Sequence, residues 1–170
     1  MVLDSFDRGH RAAVPPGVPI VRCDVRETRA VLEALRRERI ECVMHFAALA
    51  YVGESVEQPL AYYDNNLCGT LSLMRAVAEA EVSRVVFSST CATYGQPDEM
   101  PIREDTPQQP VNPYGWSKLA SEQVLRDYAA AQPGFCYAAL RYFNVAGCAR
   151  DGSAGEDHRP ETHLIPLVLQ

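Results

Sequence analysis

The sequence alternates short apolar runs with longer segments in which apolar residues recur every three or four positions. The short runs are typical of β-strands, and the longer pattern is typical of amphipathic helices. The pattern predicts strands at residues 2–6, 19–23, 42–47, 84–89 and 136–143, and helices at 26–39, 60–80, 114–131 and 164–169. It also predicts a proline-rich loop at 95–113 and a polar loop at 147–160.

This order of elements predicts an α/β fold built on a parallel sheet. Strands that alternate with helices favour βαβ units, whose helices cover both faces of the sheet. Asp24 precedes the helix at 26–39 closely enough to serve as its N-cap, and Ala30, Val31, Ala34 and Leu35 share one face of that helix. Loops at the carboxyl ends of the strands build the ligand site in such folds. Small, hydroxylic and acidic residues cluster in those loops here, as a nucleotide site requires.

Composition narrows the possible functions. The 170 residues are 47% hydrophobic and 22% charged, with a formal net charge of −6, which fits an ordinary globular chain and excludes disorder. The net negative charge does not favour binding to nucleic acid, whose phosphates attract basic surfaces. Since no apolar run approaches the roughly 18 residues of a membrane helix and no signal peptide opens the chain, we predict a cytoplasmic protein without a membrane partner.

The spacing of cysteine and histidine is the sequence signal for a metal site of the zinc type. The six cysteines form no CxxC pair, and most lie in or beside apolar runs, so we expect buried free thiols in a reducing compartment. The four histidines show no ligand spacing. We therefore expect no metal.

Tyr114 and Lys118 form the sharpest local motif. Lys118 is the single lysine of the chain, and it follows Tyr114 by four positions in the predicted helix at 114–131. Residues at this spacing share a helix face. A nearby ammonium lowers the pKa of a phenol from about 10 towards neutrality, which makes tyrosine a usable general base. A surface tyrosine beside a solvated lysine has the same spacing, so the pair alone leaves both interpretations open.

A second motif lies at the end of the strand at 84–89. Ser88, Ser89 and Thr90 supply three consecutive hydroxyl groups. Such groups bond a substrate hydroxyl or orient a catalytic phenol. The same residues also fit an ordinary Ser/Thr turn at a strand end.

Together with several ordered segments, these motifs resemble the extended short-chain dehydrogenase/reductase family and, within it, the UDP-glucose 4-epimerases. The resemblance extends over essentially the whole chain. The further segments that carry it are Val2-Leu3-Asp4, Cys23-Asp24-Val25, His45-Phe46-Ala47-Ala48-Leu49, Val52-Gly53-Glu54-Ser55-Val56, Tyr62-Tyr63-Asp64-Asn65-Asn66, Arg141-Tyr142-Phe143-Asn144, Gly155-Glu156-Asp157 and His163-Leu164-Ile165-Pro166.

The resemblance implies a Rossmann-like, doubly wound parallel sheet that binds NAD, and it assigns roles by position. Asp4 would bind the adenosine ribose, and Asp24 with Val25 would lie by the adenine. The other implied cofactor contacts are Phe46, Ala47, Ala48, Leu49, Asn65 and Phe143, the last near the nicotinamide. Thr90 takes the place of the catalytic hydroxyl, Tyr114 that of the base, and Lys118 that of the group bonding the nicotinamide ribose. The implied substrate contacts are Thr90, Asn144, His163 and Leu164. Alanine at position 50 replaces a lysine that some epimerases have beside the cofactor.

The implied reaction is the interconversion of UDP-glucose and UDP-galactose through oxidation and re-reduction at C4, with a homodimer as one possible assembly. Three alternatives stay open: an epimerase for another nucleotide sugar, a 4,6-dehydratase or decarboxylase, and a non-catalytic fragment that needs a partner segment. Dehydratases typically place Asp-Glu after the threonine of the strand-end motif. Cys91 and Ala92 occupy those positions here, which disfavours dehydration.

The family's first strand and its glycine-rich turn are missing from this sequence. The resemblance therefore indicates an epimerase truncated at both ends, with a partial NAD-binding domain at 1–146 and the start of a nucleotide-sugar-binding part at 147–170. In the family's strand order, 3-2-1-4-5-6, the missing strand lies between the strands at 2–6 and 42–47. Its removal leaves a gap of roughly 10 Å or forces new pairing. We also expect weak NAD binding, because the backbone cradle for the pyrophosphate is missing.

Overall fold

The computed structural model describes residues 1–158, 161 and 163–169. The strands are β1 (Val2–Asp4), β2 (Ile20–Arg22), β3 (Cys42–His45), β4 (Arg84–Thr90) and β5 (Cys136–Tyr142). The helices are α1 (Thr28–Arg37), α2 (Val52–Glu57), α3 (Pro59–Tyr62), α4 (Gly69–Glu79), α5 (Pro113–Ala131) and α6 (Leu164–Leu169). A π-helical turn (Tyr63–Cys68) joins α3 to α4, and short 3₁₀ turns occupy Arg11–Ala13 and Cys91–Thr93. The mixed α/β fold with parallel strands is confirmed.

The strands of the described residues form two separate parallel sheets. One has the order β1-β2, and the other has the order β3-β4-β5. Val2 is opposite Ile20 in the first sheet, and Cys42 is opposite Arg84 in the second. β1 and β3 do not pair with each other, so the expected gap is kept open rather than closed by new pairing. A cleft of about 620 Å³ lies between them.

The hydrophobic core lies between helices α1 and α4 and the second sheet. Val31 and Leu35 of α1 meet Val77 of α4, and Phe87 of β4 is almost fully buried on the same side. Burying side chains of this size contributes roughly 1.5 to 3 kcal/mol each, which ties the helices to the sheet.

The second sheet is not covered on both faces, contrary to expectation. Residues of β5 alternate between exposed and half-buried, and Met44 of β3 is 61% exposed. Alternation of this kind is what a strand shows when a single face is packed. Here α5 packs against β4 and β5.

Three further expectations are wrong in detail. Asp24 does not cap α1, because its carboxylate accepts hydrogen bonds from the backbone and side chain of Arg26 two residues on. The helix expected at 60–80 is interrupted by the π turn. Of the cysteines, Cys23 alone is fully buried; Cys91 is half-buried and the other four are exposed. Cys42 and Cys136 lie on strand positions that the partly covered sheet leaves open.

None of the helices in the described part of the chain combines the length and the apolar character that a membrane crossing needs.

Candidate active site

Thr90 and Tyr114 meet where β4 ends and α5 begins. The phenol of Tyr114 lies near enough to the Thr90 side chain for that hydroxyl to act on the pKa of the phenol. The Oγ1 atom of Thr90 accepts a hydrogen bond of 3.1 Å from the backbone N–H of Ala92. Helix α5 starts at Pro113, and the Asn112 side chain caps it by accepting from the N–H of Gly115 at 2.8 Å. These caps fix the first turn of α5, which carries Tyr114.

Gly115 sets how closely α5 approaches the turn after β4. A Cβ atom at this position would lie 2.7 Å from the carbonyl oxygen of Ala92, a distance that real side chains do not tolerate. Only a glycine lets the helix come this near. The close approach is what brings the phenol of the preceding residue within reach of Thr90.

Lys118 is buried one helical turn after Tyr114. Its side chain is 3% exposed, its ammonium donates to the carbonyl oxygen of Ser88 at 2.9 Å, and it lies 4.9 Å from the centre of the Phe87 ring. Burial lowers the pKa of Lys118 to about 8. Tyr114 and Lys118 therefore both lie against the end of β4, away from bulk solvent.

The expected effect of Lys118 on Tyr114 is not seen. Burial raises the pKa of Tyr114 above its ordinary value, and the hydrogen bond from Thr90 opposes this only in part. The ammonium of Lys118 is directed at the Ser88 carbonyl instead. The four-residue spacing correctly predicted that Tyr114 and Lys118 share a helix face. It contained no information on their burial or on the Ser88 carbonyl as an acceptor for the ammonium.

The expected cofactor residues converge on the cleft between β1 and β3. Those that line it are Asp4, Asp24, Val25, Phe46, Ala47, Ala48, Leu49 and Asn65. The Asp4 carboxylate accepts from the backbone N–H of Phe6 at 2.7 Å, and hydrogen bonds from Arg26 lower the pKa of Asp24. The cleft thus combines carboxylates at the ends of β1 and β2 with an apolar wall after β3.

Asn66, which the sequence interpretation did not single out, connects this cleft to α5. Its side chain accepts from the backbone N–H of Leu49 at 2.8 Å and donates to the Leu49 carbonyl at 3.0 Å and to the Ser117 hydroxyl at 3.1 Å. Asn66 lies in the π turn, a feature often found at functional sites. The Asn65-Asn66 doublet was the available signal, but nothing in it distinguishes the lining residue from the connecting one.

His45 is a second buried polar residue beside the site. Its Nε2 lies 3.1 Å from the hydroxyl of Thr70. Burial, together with the charge of Lys118, lowers the pKa of His45 to about 3. The imidazole is therefore neutral near pH 7.

A buried ion pair links α5, which carries Tyr114 and Lys118, to strand β5. Glu122, 2% exposed on α5, accepts two bonds from Arg141 of β5 at 2.8 and 3.0 Å, and it also accepts from the Ser89 hydroxyl and from Gln108. Burial alone would raise the pKa of Glu122, but the bonds from Arg141 and Ser89 lower it. Arg141 further donates to the hydroxyl of Tyr94 at 2.7 Å. The network joins α5, β4, β5 and the loop after β4.

The expected cofactor residue Phe143 and the expected substrate residues other than Thr90 are not brought to Tyr114. Phe143, Asn144 and Leu164 are exposed. His163 contacts Glu156 instead. The structure thus assembles the Thr90, Tyr114 and Lys118 group and the cofactor residues from Asp4 to Asn65, and leaves the rest apart.

Comparisons with known proteins identify the family to which the chain is similar. The profile of the NAD-dependent epimerase/dehydratase family matches residues 1–170. The UDP-glucose 4-epimerase of Lactobacillus helveticus is 52% identical over 170 residues, which cover 100% of this chain and 51% of that protein.

Two solved structures are similar over most of the chain. The Brucella ovis UDP-glucose 4-epimerase in complex with NAD has a TM-score of 0.93 and 48% identity, covering 97% of this chain and 50% of that one. The Bifidobacterium longum UDP-glucose 4-epimerase with NAD⁺ and UDP has a TM-score of 0.86 and 40% identity, covering 91% and 49%. The chain spans about half the length of the curated relatives it matches.

Proposed function

The chain belongs to the NAD-dependent epimerase/dehydratase family, and we propose that it supplies the catalytic tyrosine of an epimerase that interconverts UDP-glucose and UDP-galactose. The observation that carries this proposal is the approach of Tyr114 to Thr90 at the end of β4, beside a buried Lys118. Relatives that are named UDP-glucose 4-epimerase, at 52% and 46% identity, support the choice of reaction.

The residues of the cleft fit the adenosine part of NAD. Asp4 and Asp24 offer carboxylate oxygens for hydroxyl and amine donors, while Val25 and Leu49 offer apolar surface. The chemistry that bound NAD would supply there is reversible hydride transfer at the sugar carbon. The sequence contains no glycine-rich turn of the family's pattern, so we assign no residue to the pyrophosphate.

Residues of this chain would transfer the proton of the sugar hydroxyl. Tyr114 would take the proton of the sugar 4-hydroxyl, and Thr90, which lies beside the phenol, would orient it towards that oxygen. Lys118 supplies the positive charge, which stabilises phenolate once the ammonium turns from the Ser88 carbonyl to the phenol. The raised pKa of Tyr114 fits a base that is not yet activated in this arrangement.

The ion pair of Glu122 and Arg141 would hold Tyr114 and Lys118 in position. Their ion pair fixes α5 against β4 and β5, so the phenol and the ammonium stay at the end of β4. The 3₁₀ turn after Thr90 carries Cys91 and Ala92 and no carboxylate. The acid and base that a dehydratase needs at this turn are therefore missing, which favours epimerisation.

The cellular location and assembly are part of the same proposal. All six cysteines are unpaired, as is typical of a reducing compartment, which supports the cytoplasm. The division at residue 146 and the homodimer implied by the resemblance remain predictions.

The reaction is tested in a completed chain, in which residues 1–170 are joined to the segments of the Lactobacillus helveticus relative that lie outside the matched region. We expect it to convert UDP-galactose into UDP-glucose with catalytic NAD and no net NADH. Formation of a 4-keto-6-deoxy sugar would identify a dehydratase instead. If neither product forms while the completed chain is folded and binds NAD, the proposed activity is wrong.

A further inference from the structure

A second tyrosine, Tyr62, lies against the proposed base. It is the last residue of α3, and its side chain is fully buried. Its ring packs edge to face with the ring of Tyr114, with 6.3 Å between the ring centres and 84° between the planes. This separation and this angle are those of a favourable aromatic pair. Tyr114 is half-buried, so the Tyr62 ring forms part of the surface that covers its buried side.

Tyr62 is itself fixed at its hydroxyl end. The phenol donates to the backbone carbonyl of Tyr51 at 2.7 Å and to a carboxylate oxygen of Glu54 at 2.9 Å. The other oxygen of Glu54 accepts from Arg8 at 2.7 Å, so the carboxylate is held from two sides. The position of the Tyr62 ring is therefore set by α2 and by the loop after β1.

The two phenols are not equivalent as bases. Burial and the neighbouring Glu54 carboxylate raise the pKa of Tyr62, because a second negative charge beside that carboxylate is unfavourable. Burial raises the pKa of Tyr114 too, but the groups that act on it are the Thr90 hydroxyl and the Cys91 thiol rather than a carboxylate. Tyr62 is thus held as a neutral hydrogen-bond donor, which leaves proton transfer to Tyr114.

The backbone of α5 does not by itself fix the position of the Tyr114 oxygen. The Asn112 cap and Gly115 set the first turn of the helix, but the phenol still turns about its side-chain bonds. Because the oxygen lies at the far end of the side chain, a small rotation displaces it, and a displacement of about 1 Å costs up to about 100-fold in rate. A buried ring packed against Tyr114 restricts that rotation.

We propose that Tyr62 is a positioning residue for Tyr114: its buried ring holds the phenol at the end of β4, and Glu54 in turn holds the Tyr62 ring. The proposal rests on the function proposed for Tyr114. The sequence interpretation contained Glu54 and Tyr62 only as members of segments that resemble the family, and it assigned no role to either residue.

NMR of the 170-residue chain with ¹³C-labelled tyrosine tests the contact without any turnover. Tyr62→Phe and Tyr114→Phe identify the two sets of signals, and we expect NOEs between the two rings in the wild type. Tyr62→Leu should lower the pKa of Tyr114 towards the ordinary tyrosine value of about 10, because the phenol then gains contact with water. Cys91 is unchanged in this comparison, so its charge cancels.

Turnover in the completed chain tests the consequence for the reaction. Tyr62→Leu should lower kcat and kcat/KM for UDP-galactose by the same factor, about 10- to 100-fold, while NAD stays bound. Tyr62→Phe keeps the ring and should stay within about threefold of the wild type. Tyr128→Leu is the matched control, because Tyr128 lies on the same helix in an edge-to-face pair with Phe135 at 4.8 Å. It should change neither the Tyr114 titration nor kcat.

The absence of NOEs between the rings of Tyr62 and Tyr114 in the wild type overturns the proposal, and this measurement needs no variant to fold. An unchanged Tyr114 titration or wild-type kcat in folded Tyr62→Leu overturns it as well, as does an equal effect of Tyr128→Leu. These results leave the proposed function intact when the wild-type completed chain turns over UDP-galactose. An inactive wild type contradicts that function instead, and the NMR results still decide the ring contact.

Discussion

At the scale of single residues, the sequence predicted which candidate groups lie together but not their electrostatic state. Thr90, Tyr114 and Lys118 were expected together, and the structure places them at the end of β4. The direction of the Tyr114 pKa was predicted wrongly, because burial raises that pKa and the Lys118 ammonium is held by the Ser88 carbonyl. Which carbonyl a buried lysine reaches depends on how the helix and strand pack, and the four-residue spacing does not contain that information.

The burial of Lys118 predicts a pH dependence of stability. Its pKa falls from 10.5 in the unfolded chain to about 8 in the folded one. Between these values the unfolded chain binds one more proton, so the free energy of unfolding rises with pH. We expect the wild type to gain about 3 kcal/mol relative to Lys118→Met between pH 8 and pH 10.5. Urea unfolding across this range measures the difference, in which other titrating groups cancel. A constant or falling difference would contradict the burial of a titrating amine.

At the scale of elements, the alternation of apolar runs and helical periodicity gave the strands and long helices close to their observed ends. The π turn at Tyr63–Cys68 was missed, since one added residue in a helix barely alters the apolar pattern. Asn66 lies in that turn, so the link between the cleft and α5 was missed with it. Asp24 does not cap α1 as expected, because its carboxylate accepts a hydrogen bond from the Arg26 side chain instead.

Gly115 predicts how the first turn of α5 responds to a methyl group. Gly115→Ala introduces a Cβ 2.7 Å from the Ala92 carbonyl and should destabilise the chain by about 1–3 kcal/mol. Gly53→Ala is the matched control, because Gly53 is also helical and a Cβ there meets no atom within 4 Å. That change should be neutral or stabilise by up to about 1 kcal/mol. Equal effects of the two changes on urea unfolding would show that α5 does not pack as described.

The ion pair between Glu122 and Arg141 predicts a large cost for removing one charge. Glu122→Gln should lower the free energy of unfolding by about 3 kcal/mol, because it leaves a half-buried guanidinium without its partner. The matched control is Glu33→Gln, whose pair with Arg29 is exposed and should change stability by at most about 0.5 kcal/mol.

The same pair has a defined pH dependence. Because the pKa of Glu122 is lowered in the folded state, its contribution is present above the ordinary glutamate pKa and is lost as the pH falls through the folded value. The gap between the wild type and Glu122→Gln should therefore narrow in acid. A gap that widens there would contradict the assignment.

At the scale of the whole molecule, the sequence predicted both the parallel α/β fold and the gap between β1 and β3. The gap between β1 and β3 follows from the strand that the family places there, and the structure leaves it open as a cleft. The burial of the cysteines was predicted wrongly because the prediction assumed strands that are covered on both faces. Residues such as Cys42 and Met44 lie on strands that the described residues cover incompletely.

The open cleft predicts weak cofactor binding. The purified 170-residue chain should release far less than one NAD per chain on denaturation, as measured by absorbance of the supernatant, because no glycine-rich turn binds the pyrophosphate. The Brucella ovis relative, whose solved structure contains NAD, serves as the positive control. Stoichiometric NAD in the 170-residue chain would contradict this prediction.

The role of Tyr114 is tested most directly by its phenylalanine variant in the completed chain. Tyr114→Phe removes only the phenolic oxygen, so turnover of UDP-galactose should fall by about 100- to 10,000-fold while NAD stays bound. Tyr137→Phe, which removes the same atom from a half-buried tyrosine on β5, should stay within about twofold of the wild type. Wild-type turnover in Tyr114→Phe would contradict the account, whatever the other variants show.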